Sequence, residues 1–258
     1  MKQTAKTIHL FANWKMYLDY DESNILAHAF ASSLKKRPDE IDIAVFPSAL
    51  ALYPAGQVLR DVGIGVGAQN VFWADKGGYT GEVSAQMYKD AGCEYALVGH
   101  SERRHVFGES NHDVRQKMEA VLNLGLTPVV CVGETAEERK AGKTDEVVEV
   151  QLRAVFQNLT ITDKANIFIA YEPVWAIGTG DACDAEEAER VHTMIKNIVA
   201  KLLPKLNCKI LYGGSVRADN AVEYLSLDNT DGVLIGNASA KIETFKEIFD
   251  QAVKLLND

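Results

Sequence analysis

Short apolar runs alternate along this chain with longer segments in which apolar residues return every three or four positions. The first kind suits strands buried on both faces, and the second suits helices lying over them. Ile8 to Ala12, Ile41 to Phe46, Ile64 to Ala68, Tyr95 to Val98, Val129 to Val132, Asn166 to Tyr171, Lys209 to Tyr212 and Gly232 to Ile235 read as strands. The first helix pattern places Ile25, Leu26, Ala29, Phe30 and Leu34 inward, and shorter helices are expected over Ala49 to Arg60 and around Ser84 to Ala91. Ser110 and Asp113 open a clear helix with Val114, Met118, Val121 and Leu122 on one face and Gly125 at its end. A charged helical stretch covers Thr135 to Asn158. Asp184 with Glu187 resembles a capping box at the start of a long helix carrying Ala188, Val191, Ile195, Ile198 and Leu202 inward. The last helix sets Ile242, Phe245, Ile248, Phe249, Ala252, Val253 and Leu256 at core spacing.

Strand then helix, repeated eight times at a mean of about 32 residues, is close to the least a βαβ unit occupies. Such alternation means a parallel sheet with helices outside, and eight units favour closure into a (β/α)8 barrel over an open doubly wound sheet. No Pro/Ser-rich linker divides the chain, so one domain over residues 1–258 is expected. Composition changes this picture little: 47% apolar and 24% charged residues are ordinary for a soluble globular protein. The formal charge of −9 argues against nucleic acid as the main partner, since a phosphate backbone wants a basic face. No stretch approaches the ~20 apolar residues of a membrane span. Met1 to Leu10 holds no signal-peptide core, so no membrane association and a cytoplasmic location are expected. Four cysteines without a Cys-x-x-Cys pair and six scattered histidines give no reason to expect a disulfide or a metal.

Barrels of this kind build function at the C-terminal ends of their strands. The polar residues that break the apolar pattern fall there: Asn13 to Lys15, Gly99 to Glu102, Glu172, Gly213 to Ser215, and Gly236 with Asn237. Glu172 ends a buried strand, and Pro173 bars helix at that position. Burial there is expected to raise the carboxyl pKa and make a stronger base. Val174 to Ile177 form an apolar segment between this acid and Gly178 and Gly180, the composition of a loop that closes over a ligand and excludes water. His100, at the first turn of a helix, is expected to be a neutral hydrogen-bond donor. Lys15 near Glu102 supplies a fixed positive charge. The two glycine-rich groups, with Gly178 on the next loop, point to a phosphate pocket made from backbone N–H groups.

One base, one neutral donor, one cation and a phosphate site, with no cofactor motif, suit proton abstraction beside a carbonyl in a small phosphorylated molecule. Two rivals stand beside this reading. Lys15 as a Schiff-base nucleophile wants a depressed pKa, which a partnering Glu102 opposes. A non-catalytic phosphate-binding barrel acting as a scaffold is expected to lack the base or the histidine, and both are present.

Asn13-Trp-Lys-Met16, Gly99-His-Ser-Glu-Arg-Arg104, Tyr171-Glu-Pro-Val-Trp-Ala-Ile-Gly-Thr-Gly180 and Leu211-Tyr-Gly-Gly-Ser-Val216, in this order, resemble the signature stretches of the triosephosphate isomerase family. The resemblance covers essentially the whole chain. It implies a TIM barrel and a homodimeric isomerase of glycolysis and gluconeogenesis, without cofactor, acting on dihydroxyacetone phosphate and D-glyceraldehyde 3-phosphate. It implies Glu172 as base, His100 as electrophile, Lys15 and Asn13 as substrate-binding groups and Glu102 as the lysine's partner. Gly178, Ser215, Gly236 and Asn237 become the phosphate cradle. Gln69 to Glu82 resembles a dimer loop whose Thr80 reaches the partner's site near Asn13 and Glu102. Three places depart from the family pattern: Asn237 replaces a common glycine, Asp181-Ala182-Cys183 alters the far hinge of the loop, and Tyr17 stands where Asn is expected.

Overall fold

The computed structural model, which describes residues 6–161, 165–178, 182–206 and 208–257, closes eight parallel strands into a barrel. The strands are β1 (Ile8–Asn13), β2 (Ile41–Phe46), β3 (Gly65–Ala68), β4 (Tyr95–Val98), β5 (Thr127–Val132), β6 (Phe168–Tyr171), β7 (Lys209–Tyr212) and β8 (Gly232–Ile235). They follow sequence order round the barrel, and β8 returns to β1 with His9 opposite Gly232 and Ala12 opposite Ile235. Outside lie α1 (Tyr20–Leu34), α2 (Leu52–Arg60), α3 (Ala85–Asp90), α4 (Ser101–His105) and α5 (Asn111–Asn123). They are followed by α6 (Ala136–Lys140), α7 (Thr144–Phe156), α8 (Ala185–Leu202), α9 (Ala221–Leu225) and α10 (Ile242–Leu255).

Alternation along the strands divides the apolar residues between two cores. In β1, Leu10 and Ala12 join the outer layer with helix residues such as Phe30 and Phe245. Phe11 points the other way, into a plug with Phe46, Leu97, Val129, Cys131, Phe168 and Leu211. Its ring lies 5.7 Å from Phe46, 5.1 Å from Tyr95 and 4.8 Å from Phe168 between centroids. This packing explains the glycines of β3. A Cβ on Gly67 would lie 2.2 Å from the Phe46 ring, so the plug needs a bare backbone there.

Four details differ from the sequence expectation. Along α1 the buried residues are Ser23, Leu26, Ala27, Phe30, Ala31 and Leu34, while Ile25 faces out at 69% exposure. Small alanines at positions 27 and 31, invisible as anchors in a hydrophobicity reading, turn the face by one residue. The stretch expected as one helix from Thr135 to Asn158 is broken into α6 and α7 at Gly142, whose φ is +69°. Asp184 caps α8 by accepting from the Glu186 N–H; Glu187 instead pairs with Arg190. The helix α9 is only five residues long, too short to show a helical period in the sequence.

The turned face of α1 gives a direct test. Leu26→Ala should cost about 2–5 kcal/mol, as other deletions from a packed core do. Ile25→Gln should change stability by less than about 0.5 kcal/mol. Denaturant unfolding of both variants checks this; a larger loss in the Ile25 variant would reverse the assignment of the face.

Candidate active site

The ends of β1, β4, β6, β7 and β8 converge on one cavity of about 660 Å³. Its lining includes Asn13, Lys15, His100, Glu172, Gly178, Ser215, Gly236 and Asn237. Glu102 joins through Lys15, whose Nζ lies 2.8 Å from its Oε1. Thr80 stands apart, exposed on the loop after β3. Tyr17 is half exposed at the cavity rim.

Glu172 is 2% exposed, and both its carboxylate oxygens are satisfied. Oε1 lies 2.9 Å from His100 Nε2, and Oε2 accepts from the Ser101 backbone N–H at 2.7 Å. His100 is the N-cap of α4, with Nδ1 accepting from the Glu102 N–H at 3.3 Å. A ring nitrogen that accepts a backbone N–H carries no proton, so Nε2 holds the hydrogen and donates it to Glu172. Burial is the largest single influence on the Glu172 carboxyl and pushes it up. The His100 imidazole, the Ser101 N–H and the Lys15 ammonium together outweigh burial, and the net direction is downward. This corrects the expectation that burial alone makes the group a stronger base: here it is held ionised by donors.

Lys15 has φ +48°, a left-handed conformation that costs a residue with a Cβ about 1–2 kcal/mol. Two contacts hold it there. Its N–H donates to Asn13 Oδ1 at 3.0 Å, and its carbonyl accepts from Gln69 Nε2 at 2.8 Å. Gln69 also donates to the Phe46 carbonyl at 2.9 Å, tying the loop after β3 to β1 and β2.

On the opposite side the glycine-rich turns divide into two roles. Gly213 spends its N–H on the Tyr171 carbonyl at 2.7 Å, and a Cβ there would lie 2.9 Å from Glu172 Cγ. Gly213 makes room for the acid rather than offering its N–H to an anion, a correction to the sequence reading. Ser215 lies two residues on, its carbonyl braced by Asn220 Nδ2 at 3.0 Å. Asn237 begins a 3-10 turn (Asn237–Ala240) and adopts no positive φ, so its replacement of glycine needs no backbone tolerance. Gly178 does take a left-handed conformation, at φ +72°. Thr179, Gly180 and Asp181, where the far side of the loop was read, lie outside the described residues.

Three participants were not picked out from sequence. Ser101 acts through its backbone, and Gln69 acts on carbonyls far along the chain. Glu134 is fully buried beneath the loop and receives Trp175 Nε1 at 2.8 Å and the Tyr171 hydroxyl at 3.1 Å. Burial raises its carboxyl against the lowering effect of those donors. Arg139 covers the Trp175 ring at 3.7 Å. Among the described residues, no group of three or more His, Cys, Asp or Glu is placed to hold a metal ion.

The family model described as triosephosphate isomerase matches residues 8–252. A triosephosphate isomerase of Francisella tularensis subsp. mediasiatica is 43% identical over 251 residues, covering 96% of this chain and 98% of the relative. One from Aquifex aeolicus is 44% identical over 240 residues, covering 92% of this chain and 96% of the relative.

The contacts of Glu172 predict an acid-dependent contribution to stability. Its carboxyl titrates below the ordinary 4.5 in the folded state, so the contribution is complete above that value. It is lost as pH falls through the depressed one. Glu172→Gln should remove this component, so its unfolding free energy should fall less steeply than the parent's on acidification below about pH 5. Parallel pH profiles for the two proteins would contradict the ionised, donor-held state.

Proposed function

The chain belongs to the triosephosphate isomerase family, and from that premise we propose that it interconverts dihydroxyacetone phosphate and D-glyceraldehyde 3-phosphate. Glu172 takes a proton from the carbon next to the substrate's carbonyl. The C–H electrons form the carbon–carbon double bond, and the carbonyl electrons move onto oxygen to give an enediolate. His100 Nε2–H and the Lys15 ammonium stabilise that oxygen as its charge grows. Protonated Glu172 then returns the proton to the neighbouring carbon while a hydroxyl proton passes between the two oxygens. Asn13 sets the backbone of Lys15, Glu102 holds its ammonium, and backbone N–H groups of Gly178, Ser215, Gly236 and Asn237 take the phosphate.

The observation that carries this reading is the 2.9 Å approach of His100 Nε2 to Glu172 Oε1 inside the cavity that also holds Lys15. It explains how binding arms the base. A substrate oxygen that takes the His100 N–H competes with Glu172 for the same donor and releases one carboxylate oxygen. The apolar loop from Val174 to Ile177 then excludes water from the enediolate, which in solvent would lose phosphate. A scaffold role gives no reason for base and donor to remain in contact.

The active form is a homodimer in this proposal. Met16 (94% exposed), Leu50 (85%), Val106 and Phe107 are apolar and lie on the loops after β1, β2 and β4, flanking the loop that carries Thr80. A second copy of the chain covers this face and receives Thr80 near its own Asn13 and Glu102. The protein acts as one (β/α)8 domain in the cytoplasm; no described helix is long and apolar enough to cross a membrane.

A coupled assay with D-glyceraldehyde 3-phosphate tests the activity, and absence of turnover by pure protein would refute it. Glu172→Asp should lower kcat by about 10²-fold or more with KM little changed, because the shorter arm misplaces the base. Thr80→Arg should sediment as a less active monomer; a fully active monomer at dilution would count against the proposed interface.

A further inference from the structure

His100 and Glu172 belong to loops that follow β4 and β6, and β5 lies between those strands. Their spacing therefore has to be set by something that crosses β5. The backbone supplies one half: the Glu172 N–H donates to the Val132 carbonyl of β5 at 2.7 Å. The other half is a side chain that has no part in the chemistry described above.

We propose that Arg104 is a positioning residue for this reaction, registering the His100 segment against the strand that anchors Glu172. Its guanidinium makes three hydrogen bonds to three separate segments. Nε donates to the Gly99 carbonyl at 2.7 Å, one guanidinium N–H to Asn111 Oδ1 at 2.7 Å, and another to the Cys131 carbonyl at 3.1 Å. Gly99 immediately precedes His100, and Cys131 immediately precedes the Val132 that holds Glu172. One rigid fork thus spans the peptide that orients the imidazole, the start of α5, and the strand beneath the base. Gly99 has φ +70°, and a Cβ there would lie 2.8 Å from an Arg104 terminal nitrogen. The guanidinium closes directly over the turn it braces.

The acceptors themselves indicate geometry rather than charge. These three are neutral oxygens, two carbonyls and one amide, so the contacts do not form an ion pair. Lysine carries the same charge but cannot reach three divergent acceptors from one planar group. Burial lowers the guanidinium's pKa, and the nearby carboxylates of Glu172 and Glu109 act against it. Placement that depends on shape predicts that a charge-conserving substitution will fail.

This inference rests on the proposed isomerase reaction, and the experiment separates the two. The parent protein is assayed first; lack of turnover there defeats the functional reading and the positioning role with it, whereas an active parent puts the positioning role alone to the test. With an active parent, Arg104→Lys should lower kcat about 10- to 100-fold, the range a small misplacement of reacting groups produces. KM and the inhibition constant of inorganic phosphate should stay within about twofold, because the phosphate cradle lies on the loops after β6, β7 and β8. Methylguanidinium added to Arg104→Ala should restore part of kcat, which a merely structural defect would not allow. If neither Arg104 variant folds, Asn111→Ala decides: it removes one acceptor and should lower kcat several-fold at unchanged KM. A parent-like kcat in Arg104→Lys, or in Asn111→Ala where that variant decides, would overturn the proposal. Equal losses in phosphate binding and kcat would do so as well.

Discussion

A carboxylate sealed from water at the tip of a strand is tolerable only where hydrogen-bond donors replace the water it gave up. Glu172 obtains those donors from His100 and Ser101, on a loop two strands away round the barrel. This requirement reaches well beyond the site. The crossing passes over the end of β5, where Gly133 offers no side chain; a Cβ there would lie 1.8 Å from the Glu172 carbonyl oxygen. It passes beside Gly213, where a Cβ would press on the acid's own methylene. The loops after four successive strands are therefore shaped around one residue, and the closed barrel is what brings them within reach.

The same contacts would limit the acid in the role of base proposed for it. Donors that make its burial affordable also stabilise its charge, so it is held ionised but occupied. A group in that state needs a competitor for its donors before it can accept a proton from carbon. A polarised carbonyl oxygen is such a competitor for the His100 N–H, and only a ligand that fills the cavity brings one. In the proposed mechanism, coupling deprotonation to occupancy in this way would cost some basicity in the empty site. In return, the proposed base would be exposed only when a substrate is present to use it.

Much of this was legible in the sequence. The limits of β2, β4, β7 and β8 agree with the runs Ile41 to Phe46, Tyr95 to Val98, Lys209 to Tyr212 and Gly232 to Ile235, because each is apolar and bounded by turn residues. The candidate side chains that line the cavity were legible because they are polar residues where an apolar pattern stops. What escaped shares a different physical character. Ser101 contributes a backbone N–H, which every residue but proline carries, so its type says nothing about its use. Gln69 serves a carbonyl 54 residues away, and Glu134 an indole 41 residues away, distances over which spacing holds no information. The direction of the Glu172 pKa was misjudged for the same reason: a strand pattern reveals burial, whereas the donors that outweigh it come from elsewhere in the chain.

The mouth of the barrel is divided by kind. Beyond β7 and β8 it presents small residues and backbone, and beyond β1, β2 and β4 it presents exposed apolar side chains. Lys15 sits at the boundary between the two, and it is there that the backbone is strained. Its left-handed turn leans on Gln69, at the root of the loop that carries Thr80. A second copy of the chain packed over that loop would restrict Gln69 as well as cover Met16 and Leu50. The energy gained by burying those apolar residues would then be drawn on to hold the lysine in a conformation it would not adopt unaided. On this view a dimer contributes more than solubility to the proposed enzyme, because a loosened loop would let the cation relax away from the oxygen it has to meet.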